Sequence, residues 1–266
     1  MEVKAKKALG QHFLTDLPTA EKIADTISAN ELSQACGAEI GTEWGNLPVV
    51  EIGPGMGVLT DFLVASGRDV TAIEIDHESV EYLGKYKKEI KVIEGDFLRL
   101  DLDDIVEGEI ALIGNYPYNI SSQIFFRVLE YKDKIPVVAG MLQKEVAERI
   151  CSGPGSKVYG ILSVLLQAWY DCEYLFTVEP GVFSPPPKVR SGVLRITRNS
   201  RTDLGVDEKK FKTVVKTAFG QRRKTLRNSL AGMIPAGSPL LDDPILKERP
   251  ERLSVEQFIY ITKSLS

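Results

Sequence analysis

A chain of 266 residues with 43% hydrophobic and 26% charged side chains can bury a full core and sits near the size at which one domain divides into two, which excludes a disordered chain, a collagen and a coiled coil. A net charge of −4 argues against a surface that attracts nucleic acid all over. Three widely spaced cysteines (Cys36, Cys151, Cys172) with no C-x-x-C pair, and only two histidines (His12, His77), argue against a disulfide framework and against a bound metal. The longest nearly unbroken apolar run, Ile161–Tyr170, is about half of the ~20 residues a membrane-spanning helix needs. The first residues, MEVKAKKALGQHF, lack a signal peptide's apolar stretch, so a soluble, cytoplasmic protein is expected.

Asp16 before Pro18, followed by Ala20, Ile23, Ala24 and Ile27 at helical spacing, predicts a leading helix. From residue 48 onward short β-rich runs alternate with helical patterns. Strands are predicted over 48–53, 69–75, 91–94, 110–115 and 136–142, each followed by a loop and helix, which predicts a parallel, doubly wound α/β sheet. Runs 172–178 and 189–197, joined by the turn-rich GVFSPPPK, leave no room for a helix between them and predict an antiparallel pair at the sheet edge. After the polar stretch NSRTDLGVD the pattern is helical only. It comprises a basic amphipathic run from Glu208, a second helix from about Arg222 to Leu230, a Pro/Gly-rich break, and a last helix opened by Ser254 and Gln257 as a capping box. The expected division is a sheet domain over residues 1–200 and a small all-helical domain over 201–266.

Charge is segregated along the chain. Lys188, Arg190, Arg195, Arg198 and Arg201 fall between residues 187 and 201 with no acid among them, and Lys209, Lys210, Lys212, Lys216, Arg222, Arg223, Lys224 and Arg227 between 209 and 227, again without an acid. Two such stretches in the last third of the chain point to an anionic partner there.

Glu51-Ile52-Gly53-Pro54-Gly55-Met56-Gly57 closes the first predicted parallel strand and opens a helix, the place where doubly wound sheets bind nucleotide-like cofactors. The glycines run G-x-G-x-G, with Val58 where a dinucleotide fingerprint has its third glycine, so the spacing argues against a pyrophosphate ligand. Gly53 and Gly55 still allow a ligand close to the backbone, and the helix N-terminus favours a carboxylate. Glu74 and Asp96 end the next two strands at the same sheet edge. One carboxylate there can accept two ribose hydroxyls and another an adenine amino group. A glycine loop and two acids across three consecutive βα units resemble the S-adenosylmethionine-binding methyltransferases of the Rossmann-like class.

Asn115-Tyr116-Pro117-Tyr118 follows the fourth strand and reaches the same edge. The exocyclic amine of a purine is a poor nucleophile because its lone pair is delocalised into the ring. An Asn oxygen and the next residue's carbonyl, held by a proline, are two acceptors that favour a more reactive, pyramidal nitrogen, and the following aromatic can stack on the base.

Taken together, these motifs resemble the ribosomal RNA adenine dimethyltransferases, in particular those acting on 16S RNA. The resemblance covers nearly the whole chain: Leu9–Leu14 (LGQHFL), the Gly53 loop, Glu74, Gly95-Asp96, Asn115–Ser122 (NYPYNISS), Phe183–Val189 (FSPPPKV) and Ala218–Asn228 (AFGQRRKTLRN). It implies a class I methyltransferase fold and S-adenosylmethionine-dependent N6,N6-dimethylation of adjacent adenosines in the 3′-terminal hairpin loop of 16S RNA, with a role in small-subunit biogenesis. It further implies that His12, Leu14, Gly53, Gly55, Glu74, Asp96 and Asn115 line the cofactor pocket and that Asn115 meets the target amine. Tyr118 and Phe183 are expected to stack on an unstacked target base, and Lys188, Arg190, Arg222, Arg223, Lys224 and Arg227 to hold RNA phosphates. No metal and no membrane contact is expected, and the chain is expected to act as a monomer. Two positions depart from the family's common pattern, which often has Asn in place of His12 and Leu in place of Tyr116. Rival readings keep the cofactor but change the substrate to DNA adenine or large-subunit RNA, or make the chain an assembly factor for which methylation is secondary. Zinc-dependent deamination is disfavoured because H-x-E and P-C-x-x-C are missing.

Overall fold

The computed structural model describes residues 3–265. Its strands are β1 Phe13–Leu14, β2 Val49–Ile52, β3 Val70–Glu74, β4 Lys91–Glu94, β5 Ala111–Asn115, β6 Val137–Gln143, β7 Tyr170–Val178, β8 Phe183–Ser184 and β9 Ser191–Arg198. Its helices are α1 Leu17–Asp25, α2 Ala29–Cys36, α3 Ala38–Trp44, α4 Val58–Ala65, α5 His77–Tyr86, α6 Ser121–Glu130, α7 Lys144–Cys151, α8 Ile161–Gln167, α9 Glu208–Gly220, α10 Leu226–Ser229 and α11 Val255–Ser264. Seven strands form one sheet in the order β4-β3-β2-β5-β6-β9-β7. Strands β2 to β6 pair in parallel, and β9 pairs antiparallel with β6. Every residue of β2 and β3 is buried, as expected for strands covered on both faces. The chain runs outward from β2 through β3 to β4, then returns to β5 on β2's other side, so a crevice opens at the carboxyl ends of β2 and β5.

The leading helix is present. The Asp16 carboxylate accepts the Thr19 N–H at 3.0 Å and caps α1, whose Ala20 and Ile23 are buried. No helix follows β4. That stretch is built from turns in which Asp96 and Asp101 accept the N–H of Leu98 and Asp103 at 3.0 Å each, local bonds that compete with a helix. Strands β1 and β8 pair antiparallel, Phe13 opposite Ser184 and Leu14 opposite Phe183; two-residue strands are too short for any periodicity to announce.

The chain falls into two compact units, Met1–Ala147 with Cys172–Arg198, and Glu148–Asp171 with Asn199–Ser266. The boundary read from the sequence, near residue 200, lies beside the last crossing, whereas residues 148–171 belong with the C-terminal helices. The reason is α8, buried from Leu162 through Leu166, which packs on α9 and α11. Within this helical unit Phe219 stacks on Phe258 at 5.9 Å and meets Tyr159 edge-on at 6.2 Å. The Ser254–Gln257 capping box forms. The helix expected from Arg222 to Leu230 shrinks to the single turn α10. Gln221 leaves the helical region (φ −124°, ψ 50°), residues 221–224 form a turn, and the Leu226 N–H goes to the Glu248 carbonyl at 2.8 Å.

Candidate active site

Parallel register brings the chemistry-bearing residues to one edge of the sheet. Ile52 stands opposite both Ile73 and Gly114, and Glu74 opposite Glu94. The loops leaving β2, β3, β4 and β5 therefore emerge side by side. They line a single cleft that includes Gly53, Gly55, Glu74, Asp96, Asn115, Tyr118 and, from the N-terminal segment, His12 and Leu14.

Gly53, Gly55 and Gly57 have φ of +67°, +57° and +78°, a region that favours glycine. A Cβ at Gly53 would have nothing nearer than 4.0 Å, the Asn115 carbonyl and Pro117 ring, so the strand end is open to a ligand there. The Phe13 ring, by contrast, lies against Gly55, 2.9 Å from where a Cβ would sit. The Glu74 carboxylate is 4% exposed and accepts three backbone N–H groups, Gly55 at 3.0 Å and Ile75 and Asp76 at 2.9 Å each. Burial raises its pKa, partly offset by those three bonds. The bonds fix the carboxylate in place and leave lone pairs for further donors, since an ionised carboxylate offers about four acceptor sites. Asp96, half-buried one strand away, spends Oδ1 on Leu98 N–H at 3.0 Å.

Asn115 donates its side-chain N–H to the His12 carbonyl at 2.9 Å. That bond assigns the amide orientation, leaving Oδ1 as the acceptor. Tyr116 turns away beneath the sheet. Its hydroxyl donates to the Ala139 carbonyl at 2.7 Å, its ring meets Phe125 edge-on at 5.7 Å, and burial raises its pKa. The ring fits because Gly114 and Gly140 lack side chains; a Cβ at Gly140 would lie 2.8 Å from the ring and 2.2 Å from the Gly114 carbonyl. Tyr118 is half-buried, its hydroxyl bonded to Ser191 at 2.5 Å. The His12 ring lies 5.7 Å from the Tyr118 ring at 32°, and its Nδ1 is 2.8 Å from the Pro185 carbonyl.

Phe183, expected to stack on a base, is 4% exposed and belongs to the apolar core with Leu14, Ile23 and Val178. It does not line the cleft, because pairing of β8 with β1 turns its ring inward. Two further acids lie outside the expected set, and only the first of them lines the cleft. Glu51, 1% exposed, lines the cleft and accepts the Thr60 hydroxyl at 2.6 Å; burial, with the charge of Glu74 adding, pushes its pKa up to about 8. Its place at the strand end before the first glycine was the available signal. Asp76 ties the N-terminal segment to the end of β3, held by Lys6 Nζ at 2.5 Å, Gln11 Nε2 at 3.4 Å and Ser79 Oγ at 3.0 Å. Burial alone would raise its pKa, but these bonds outweigh burial and hold it below the usual value. That contact spans seventy residues of sequence and leaves no local pattern.

The basic stretches separate into tied and exposed cations. Arg195 is 4% exposed and pairs with Glu173 at 2.7 Å and Glu31 at 3.6 Å. Arg198 bonds the Lys132 carbonyl, and Arg201 pairs with Glu256 at 3.0 Å. Lys188 and Arg190 are exposed, Arg190 lying 3.9 Å from Glu179. In the helical unit Arg222 donates to the Lys157 carbonyl at 2.5 Å and Arg227 to that of Leu241, while Arg223 and Lys224 are exposed on the turn. Among the described residues no group of three or more His, Cys, Asp or Glu side chains could hold a metal ion, and no helix is long and apolar enough to cross a membrane.

The family model for ribosomal RNA adenine dimethylase matches residues 2–265. The chain is 59% identical to a ribosomal RNA small subunit methyltransferase A of Parabacteroides distasonis over 262 residues, covering 98% of this chain and 93% of that one. Among solved structures it is similar to a dimethyladenosine transferase from Plasmodium falciparum (TM-score 0.73, 21% identity, 96% of each chain), which supports the fold. It is also similar to the 23S rRNA methyltransferase ErmE (TM-score 0.64, 26% identity, 95% of this chain and 99% of that one). The seven-stranded sheet is thus of the Rossmann-like class I methyltransferase kind, and the chain belongs to the ribosomal RNA adenine dimethylase family.

Proposed function

We propose that this chain transfers two methyl groups from S-adenosylmethionine to the N6 amine of each of two adjacent adenosines in the 3′-terminal hairpin loop of 16S RNA, acting as a monomer in the cytoplasm during small-subunit biogenesis. The donor set of the cleft fits the cofactor: a buried, fixed carboxylate on Glu74 for the ribose hydroxyls, Asp96 for the adenine amine, and an open strand end at Gly53 for the methionine part. When bound, that cofactor supplies a methyl group already activated on a sulfonium. The protein then needs alignment and amine polarisation more than a strong base or a metal, and fixed in-line placement lowers a barrier by several kcal/mol.

What supports this reading above all is Asn115. With its N–H committed to the His12 carbonyl, its oxygen is left as an acceptor in a cleft also lined by the next residue, Tyr116, whose ring is anchored under the sheet and whose carbonyl is the second acceptor of this reading. Two acceptors on the amine hydrogens favour a pyramidal nitrogen with a usable lone pair. Tyr118 offers the ring on which an extruded base stacks. Lys188, Arg190, Arg223 and Lys224 supply exposed positive charge for phosphates, with Arg222 and Arg227 contributing the donors their carbonyl bonds leave over.

The test is transfer of labelled methyl to small-subunit particles from cells lacking the modification, with large-subunit particles alongside and products resolved by chromatography. Dimethyladenosine in the small-subunit RNA alone is expected; monomethyladenosine only, or transfer to the large subunit, overturns the reading.

A further inference from the structure

The rings of His12 and Tyr118 are in aromatic contact, 5.7 Å apart and inclined by 32°, within the range of a favourable aromatic pair. Both are held by the same return segment. The Pro185 carbonyl takes the His12 Nδ1–H at 2.8 Å and the Ser191 hydroxyl bonds the Tyr118 hydroxyl at 2.5 Å, while pairing of Phe13 with Ser184 fixes the backbone next to His12. The main chain of His12 faces the other way in function, since its carbonyl holds the Asn115 amide. Phe183, the residue expected to add a second ring, is enclosed in the core. The position of His12, where the family often has an amide, therefore presents a ring beside the one on which the base is to stack.

We infer that the His12 side chain is part of the wall that receives the target adenine, continuing the Tyr118 surface, while only its backbone serves the cofactor side of the cleft. This rests on the function proposed above. A purine has two fused rings and gains from a stacking surface longer than one phenol. An aromatic wall accepts any base, so His12 contributes affinity for the extruded base, and selection for adenine stays with Asn115.

A hairpin RNA carrying 2-aminopurine at the target position reports this directly, because its fluorescence changes when the base leaves the helix and stacks on protein. The full chain, His12→Asn, His12→Phe and Tyr118→Ala are compared, with S-adenosylmethionine affinity of each measured by calorimetry and folding checked by melting temperature. His12→Asn is expected to weaken engagement of the reporter base about five- to tenfold with cofactor affinity within about twofold of the parent, His12→Phe to restore engagement, and Tyr118→Ala to lose more than His12→Asn. A His12→Asn protein that binds the cofactor poorly while engaging the base normally overturns the inference, as does failure of Phe to rescue. If the parent engages the reporter no better than Tyr118→Ala, the target-base reading itself falls.

Discussion

The cleft at the ends of β2 to β5 and the basic stretches of the last third handle charge in opposite ways. In the cleft, carboxylates are taken out of water. Glu74 is compensated by three backbone N–H groups, and burial pushes the pKa of Glu51 up to about 8. Burying acids costs stability unless they are paired or neutralised, so their presence there marks a place where binding outweighs stability. In the basic stretches most of the charges stay near water, Arg195 being the buried exception, yet much of their donor capacity closes the fold. Arg195, Arg198 and Arg201 join elements, and Arg222 and Arg227 bond main-chain carbonyls. A run of cations without acids is thus a poor count of the charge a surface offers, and the two acids at adjacent strand ends, Glu74 and Asp96, share their cleft with a third, Glu51.

The largest expected effect falls on chemistry. Asn115→Ala should reduce single-turnover methyl transfer by on the order of 10²- to 10³-fold, the scale of losing one fixed hydrogen-bond partner at a reacting group, while RNA affinity stays within about twofold; an active variant would remove the mechanism. Next, Gly140→Ala sets a Cβ against the Gly114 carbonyl and the Tyr116 ring and should cost on the order of 3 kcal/mol, lowering the melting temperature by about 10 °C. Glu74→Ala should weaken cofactor binding about tenfold or more in calorimetry, the loss of charge-assisted bonds of roughly 1.5–3 kcal/mol. Unchanged affinity in a folded variant would break the contrast drawn for the acids.

Glu51 makes stability depend on pH. Its folded pKa of about 8 lies above the usual 4.5, so between those values the folded chain holds a proton that the unfolded chain has released. Stability from this group is complete below about pH 4.5 and is lost as pH rises toward 8, with a slope of up to about 1.4 kcal/mol per pH unit. Glu51→Gln should flatten urea-unfolding stability across that window; an equal slope in both proteins refutes the assignment. The smallest effect separates the cations: Arg223→Ala with Lys224→Ala should flatten the dependence of log affinity on log salt by up to about one unit per lost contact. Arg222→Ala or Arg227→Ala should change that slope less and lower the melting temperature more.

Much of the fold is written in local patterns. The strands β2 to β6 and the capped helices α1 and α11 follow from short β-rich runs and from Asp16 and Ser254, because capping and strand-versus-helix periodicity act within a few residues. The glycine loop, Glu74, Asp96 and the NYPY segment are legible for the same reason, since each sits at the end of its own strand. The missing helix after β4 and the loss of helix beyond Gln221 are less so, as they turn on side-chain bonds to nearby N–H groups and on one bond to Glu248.

By itself, then, the sequence determined which strands form the sheet, which residues end them and which family they resemble, because those depend on short-range order along the chain. Only the tertiary structure decided that Phe183 is core and His12 lies beside Tyr118, that Tyr116 lodges against two glycines, that Glu51 is buried in the cleft, and which arginines are already engaged. Each of these depends on contacts between residues distant in sequence, whose burial and partners no local pattern carries.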